Sequence, residues 1–306
     1  ALSMEGVSMD GLPIKISPEE EGDWNRAVQF IRMIAEKAEM YGRKKNGDLN
    51  PKQRGQIASQ VVGYMRRISG YYRMKAVIED IKEQMKSGEF ERFGIIGEFV
   101  KGDDGRPANL FAAINVINTQ DPIDTGDDVV YEDIPEAIAD KEYLLAILRG
   151  ENPEWGEYPV PIIPTPMSLL YDAFGEENVA IVSGEVDGKD RPKVVEEFQN
   201  MKKQIIWFNS AGGTGVDMHD TVGTPIRVYT QDYAYTAKAQ KQAEGRFHRT
   251  GQVTAPTFVY PYLNSSTDTK FVGTLIARYE AVGALSRGDV GKLGGESLSD
   301  FDMTGE

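Results

Sequence analysis

From Met167 to Val282 short apolar runs alternate with helical stretches in a regular order. Helix Met167–Phe174 leads to a strand at Val179–Ser183, and helix Arg191–Met201 to a strand at Gln204–Asn209. A Gly-rich turn at 212–215 then precedes a strand at Ile226–Thr230, a helix at Thr236–His248, a strand at Thr257–Tyr262 and a last helix at Thr267–Val282. The strands read as continuous apolar runs, so both of their faces must be covered. Helices crossing between parallel strands supply that cover. The chain is therefore expected to be α/β with a parallel sheet.

Upstream the pattern is mainly helical. Ser17-Pro18-Glu19-Glu20-Glu21 offers an N-cap, a first-turn proline and acids facing the helix dipole. A helix is expected over Glu19–Tyr41, with an apolar stripe of Val28, Ile31, Ile34, Ala35 and Ala38. Pro51–Ser69 and Tyr71–Ser87 read as two more helices, broken at Gly70, and Phe93–Val100 as a buried strand closed by the turn Gly102-Asp-Asp-Gly105. Helical pieces around Leu110–Ile117 and Ile134–Leu148 follow, then a stiff connection through Pro159, Pro161, Pro164 and Pro166. The expected organisation is an N-terminal helical region over 1–88, an α/β domain over 89–290 with an acidic helical insertion at about 101–160, and a loose, flexible tail over 291–306.

Charge narrows the choice of partner. The 306 residues hold 48 acidic and 34 basic side chains, a net charge of −14, which taken globally opposes a partner as acidic as nucleic acid. The distribution says otherwise. Residues 101–200 hold 22 acidic and 7 basic residues, whereas 51–100 hold 9 basic and 6 acidic, and 201–250 hold 7 basic and 4 acidic. The acidic segment reads as a solvated surface, expected to face away from nucleic acid or to mask the groove. Its spacing Asp121-Pro-Ile-Asp124-Thr-Gly-Asp127-Asp128 does not match an EF-hand loop. With no cysteine and two histidines, disulfides, thiolate metal sites and multi-histidine centres are excluded, and an intracellular location is expected. No apolar run approaches the ~20 residues of a membrane span. Position 1 is not Met, which points to a processed or excised piece.

Two segments carry chemistry. In Ile205-Ile-Trp-Phe-Asn-Ser210-Ala-Gly212-Gly213-Thr214-Gly215-Val-Asp217 a buried strand runs into a small-residue turn, where α/β sheets place ligands and backbone N–H groups can approach phosphate. In Gln240-Lys-Gln242-Ala-Glu-Gly245-Arg246-Phe-His248-Arg249-Thr-Gly251-Gln252 the arginines are three apart, which puts both guanidinium forks on one helical face. Gly245 at a helical position suggests that something packs closely there. His219 reads as a turn residue, and Trp24, Trp155 and Trp207 as packing residues.

Taken together, Ser183-Gly184…Arg191…Phe198, then S-A-G-G-T-G-V-D, then Q-A-E-G-R-F-H-R-T-G-Q resemble the second RecA-like domain of superfamily 2 helicases. The H-R-x-G-Q ending is close to the Swi/Snf-type translocases. Gln252-Val-Thr-Ala-Pro256 and Gly283-Ala-Leu-Ser-Arg-Gly-Asp289 narrow the resemblance to the strawberry notch family, over roughly 70–290. The resemblance implies that Arg249 is an arginine finger on the γ-phosphate, with Arg246 beside it and Gln242 ordering the pair. It implies that Gly213, Gly215 and Asp217 line the nucleotide cleft, and that Ser210 and Gly184 touch a DNA or RNA backbone. His248 stands where Swi/Snf-type proteins also have a histidine.

A complete motor needs G-x-x-x-x-G-K-[ST] and an acidic magnesium box. Here Gly188-Lys189 is followed by Asp190 and Gly291-Lys292 by Leu293, and the dipeptide Asp-Glu is absent. ATP and Mg2+ would therefore be held mainly by a first RecA-like domain, in cis on a longer protein or in trans. Alone, the chain is expected to hydrolyse almost no ATP. The rival reading is a non-catalytic helicase-like module that docks protein or nucleic acid. A small-molecule enzyme would have only Asp217 and His219 near its turn.

Overall fold

The computed structural model describes residues 7–42, 51–98, 107–124, 129–157, 159–209, 215–234 and 237–263. Contacts divide the chain into two units, one of Ala1–Lys15, Tyr72–Val100 and Pro166–Glu306, the other of Ile16–Tyr71 and Lys101–Thr165. These boundaries cut across the division at residue 88. They group the helices before Gly70 with the acidic segment.

The first unit holds the parallel sheet. Its strands are β1 (Ser8–Ile14), β2 (Arg92–Ile96), β5 (Val179–Val182), β6 (Ile205–Phe208), β7 (Ile226–Thr230) and β8 (Thr257–Leu263), in the order β1-β8-β7-β2-β6-β5. Every neighbouring pair is parallel, as the strand–helix alternation requires. β2 is central, between β6 and β7. Strand β1 is an addition to the expected helical N-terminus. It pairs with β8 from Ser8↔Thr257 to Ile14↔Leu263. The strand expected at Phe93–Val100 runs from Arg92 to Ile96, and its closing turn lies outside the described residues.

Two-residue alternation sends side chains to two separate cores. On one face Ile206 and Phe208 pack with Val195 and Phe198 of α6 (Arg191–Gln199), and with Met218 and Phe247. On the other, Ile205 and Trp207 pack with Met74, Val77 and Ile81 of α2 (Pro51–Ser87) and Leu170 of α5 (Pro166–Phe174). Trp207 is buried and donates to Gln231 Oε1 at 3.0 Å, as a packing residue does.

Helix α2 is continuous, without the expected break at Gly70. A single interior glycine costs a helix only about 1 kcal/mol, too little to interrupt one held by buried residues on both sides. The unit boundary nevertheless falls just after that glycine, so α2 contributes to both units.

The second unit contains α1 (Pro18–Tyr41), the start of α2, α3 (Ala108–Asn115), the hairpin β3 (Gln120–Asp124) and β4 (Val129–Asp133), and α4 (Pro135–Leu148). Ser17 caps α1 in a reciprocal box with Glu20. The buried stripe of α1 is Ala27, Phe30 and Ile34 rather than the set centred on Val28 and Ala35. It faces α3 and α4, whose Leu110, Ile114, Leu144 and Leu148 are buried. Tyr41 donates to Asp140 Oδ2 at 2.5 Å and Lys37 Nζ lies 2.8 Å from the same oxygen. Trp155 meets Phe30 edge to face at 5.7 Å. The N-terminal helices and the acidic segment thus share one core instead of forming two regions. Among the described residues, no helix is long and apolar enough to cross a membrane.

Candidate functional site

Helix α7 (Ala237–Glu244) is shorter than the expected Thr236–His248. After Glu244 the backbone tightens: Arg246 N donates to Ala243 O, Phe247 N to Glu244 O and His248 N to Glu244 O. Arg246 and Arg249 therefore leave from turns, not from one helical face. What unites them is a carboxylate. Arg249 Nη2 lies 2.8 Å from Asp217 Oδ1, and Arg246 Nη1 lies 3.7 Å from the same oxygen. Arg246 Nη1 also donates to Val216 O at 3.3 Å, and Met218 N donates to Arg246 O at 2.7 Å. The segment leaving the Gly-rich turn and the segment leaving α7 are laced together at Asp217.

Phe247, between the arginines, anchors this turn to the sheet. It is fully buried, 5.7 Å from Phe208, and lies over Gly94 of β2. A Cβ on Gly94 would fall 2.5 Å from Phe247 Cζ. Only glycine leaves room for the ring there. The close packing expected at Gly245 is with its own helix: a Cβ there would meet Lys241 O at 3.1 Å.

Beneath the site lie buried polar groups that motif reading missed. Arg92 and Asp220 form an ion pair of 2.9 Å, 0% and 1% exposed, with the guanidinium stacked 4.6 Å from the Phe198 ring. Asp220 also accepts from the backbone N–H groups of Val222, Gly223, Thr224 and Thr254, and from the Thr254 hydroxyl at 2.7 Å. Burial alone would raise its pKa. The Thr254, Val222 and Thr224 donors and the Arg92 charge outweigh it and hold the carboxyl below its ordinary value. One carboxylate so fastens the loop after Asp217 to the loop after Arg249. Under α7, the buried Gln240 donates to Glu244 Oε1 at 2.9 Å and to Thr230 Oγ1 at 3.1 Å, while Tyr260 also donates to Glu244. Burial, then Glu244, pushes the Tyr260 phenol well up. Of these groups Arg92 adjoins the apolar run Phe93–Ile96, while Asp220, Gln240 and Glu244 lie in polar sequence that gives no sign of burial.

Gln242 is exposed on α7, and no hydrogen bond joins it to either arginine among the described residues. Gln252 instead accepts from Arg249 N at 3.1 Å. Gly215 is exposed with φ +80, and Gly184 is exposed two residues past the end of β5. Ser210 and Gly213 lie outside the described residues, as do the expected helix Thr267–Val282 and the tail over 291–306. His219 lies on the loop, its buried Nδ1 without a hydrogen bond among the described residues. No group of three or more metal-ligating side chains occurs among the described residues. The arginine pair does suit an anion: Arg249 Nε has no acceptor among the described residues, and both guanidiniums reach one carboxylate oxygen.

Comparison with known proteins places residues 184–306 in a match to the family model described as the C-terminal domain on strawberry notch homologues. Protein strawberry notch of Drosophila melanogaster is 25% identical over 140 residues, 44% of this chain and 8% of that protein. Strawberry notch homolog 1 of Homo sapiens is 27% identical over 140 residues, 44% of this chain and 10% of that protein. The chain matches only these small fractions of its curated relatives. Among solved structures, the C-terminal part of the Fun30 ATPase domain aligns at 13% identity and a TM-score of 0.42, covering 87% of each chain.

Proposed function

We propose that this chain, a member of the strawberry notch family through its helicase C-terminal domain at residues 184–306, is the second motor half of an ATP-dependent nucleic-acid helicase or translocase. The observation that carries the reading is the convergence of Arg246 and Arg249 on Asp217 at the exit of the Gly-rich turn. Bound ATP would supply the phosphoryl group transferred to water, held with Mg2+ mainly by a first RecA-like domain in cis or in trans.

Arg249, as the finger, neutralises charge that grows on the transferred phosphate, and Arg246 adds a second fork beside it. Phe247 and the Gln252 contact fix the turn from which both reach. Gly213, Gly215 and Asp217 line the nucleotide side. Ser210 and Gly184 contact the DNA or RNA backbone, giving salt-dependent binding with little sequence preference.

Joined to an upstream motor domain, the chain should show nucleic-acid-stimulated ATP hydrolysis that Arg249→Ala abolishes while the far- and near-ultraviolet circular dichroism stays unchanged. Unchanged turnover in that variant would reject the motor role and leave a docking module.

A further inference from the structure

We propose that the outer edge of β4, in the hairpin of the helical unit, is a docking strand for an extended, lysine- or arginine-rich segment of a partner protein.

Strands β3 and β4 form a two-stranded sheet, so each has one edge that faces away from its neighbour. The two edges differ. Ile134 N donates to Thr119 O at 2.8 Å, which makes these residues a hydrogen-bonded pair one step beyond Gln120↔Asp133. Antiparallel pairs alternate. At Gln120↔Asp133, Pro122↔Tyr131 and Asp124↔Val129 the backbone groups therefore turn outward, away from the partner strand. On β3 that outer edge is closed. Gln120 N donates to Asn118 Oδ1 at 3.4 Å, Asn118 Nδ2 donates to Gln120 O at 2.8 Å, and Pro122 has no N–H to offer. On β4 the same alternation turns the N–H and C=O groups of Val129, Tyr131 and Asp133 outward, with no proline among them. A segment added as a third strand finds its ladder there.

The side chains of β4 are open as well. Successive strand residues point to opposite faces, and Val130 is 47% and Tyr131 62% exposed, so neither face is covered. A tyrosine and a valine exposed on an open edge invite pairing.

Charge selects the occupant. Residues 120–133 hold six acidic side chains and no basic one. A second copy of the hairpin laid edge to edge would set like charges opposite each other, and nucleic acid or an anionic membrane is repelled in the same way. A basic segment is attracted instead. Its alternate side chains fall on the two faces of the enlarged sheet. Cations on one face meet the exposed Asp133 and can lie over the Tyr131 ring, while apolar residues on the other cover Val130.

The test uses the full 306-residue chain labelled with 15N-tyrosine and 15N-valine, the Tyr131 amide being assigned through Tyr131→Phe. A short blocked peptide of alternating lysine and valine is titrated into it. Two controls are a glutamate–valine counterpart and a lysine–valine peptide N-methylated throughout, which keeps the charge and cannot donate to a ladder. The lysine–valine peptide should shift the Tyr131 amide and slow its exchange with water, and should bind more weakly as salt is raised. Its affinity, read from the valine amides, should fall about tenfold in Tyr131→Pro, which removes an outward N–H and the ring. It should also fall in the double variant Glu132→Gln, Asp133→Asn, whose backbone edge is intact. Equal binding of the glutamate–valine peptide, or no loss in the double variant, would overturn the choice of a basic partner. Equal binding of the methylated peptide would overturn strand addition, and no binding by any peptide would overturn the docking strand altogether. A Tyr131 amide that already exchanges slowly in the free chain, or shifts with protein concentration, would show the edge taken by this chain or a second copy and would overturn it too.

Discussion

Arg92 of β2 and Asp220, 128 residues later, form a fully buried ion pair whose carboxylate also receives four backbone N–H groups and a hydroxyl. The pair ties the central strand to both loops that present the arginine cluster. Removing one partner leaves the other charged in the interior. We expect Asp220→Ala to lower unfolding stability by about 3–5 kcal/mol, read from urea denaturation. The Arg249 Nε resonance should broaden even where the chain remains folded.

The same carboxylate predicts a pH dependence. Asp220 has a depressed pKa in the folded chain, so its stabilising contribution is complete above the ordinary carboxylate value and is lost as pH falls through the lower, folded value. Urea midpoints measured from pH 7 down to pH 3 should fall for the wild type. Asp220→Asn should be the less stable protein at pH 7, with the gap closing on acidification. A constant gap would show that the ionised form is not what the fold favours.

A side chain on Gly94 has nowhere to go. Gly94→Val should cost about 1–3 kcal/mol through overpacking against Phe247, and should shift the Arg246 and Arg249 resonances although neither residue is mutated. Phe247→Ala tests the same contact from the other side, with an expected loss of about 3–5 kcal/mol in the unfolding free energy.

In the helical unit, the hydrogen bond to Asp140, with lesser help from burial, raises the Tyr41 phenol to about 12. Ultraviolet titration should find Tyr41 still neutral at pH 11. In Asp140→Asn its titration should move back toward the ordinary tyrosine value of 10.0. No such movement would mean that the hydrogen bond does not form in solution.

Much of this sheet was legible because strands buried on both faces leave apolar runs. Ile205–Phe208 is such a run, and Ile226–Thr230 nearly one, interrupted by Arg227; both have members in both cores. Strand β1, Ser-Met-Asp-Gly-Leu-Pro-Ile, was not legible, because an edge strand half open to solvent tolerates Asp, Gly and Pro. The hairpin of β3 and β4 hid for a similar reason: an acidic strand has no apolar signature. Helix α7 was drawn too long because Arg246 to His248 suit a helix locally, while the Phe247 ring docks against the sheet and pulls the backbone into turns. Within the site, Arg246, Arg249 and Asp217 were visible as motif positions. Their convergence on one carboxylate oxygen was not, and neither were Arg92, Asp220, Gln240 and Glu244, since only the folded packing decides which charged residue is taken inside.

The pairing of β1 with β8 also bears on how the protein is made. Ser8 meets its partner Thr257 only after about 250 further residues have been synthesised, and β2 must wait for β6 and β7 on either side. At roughly 5–20 residues per second, the first strand leaves the ribosome tens of seconds before its neighbour exists. During that interval the apolar strand Arg-Phe-Gly-Ile-Ile has no sheet to join. Newly made chains should therefore depend on chaperones that shield this strand until its neighbours at 205–208 and 226–230 have emerged.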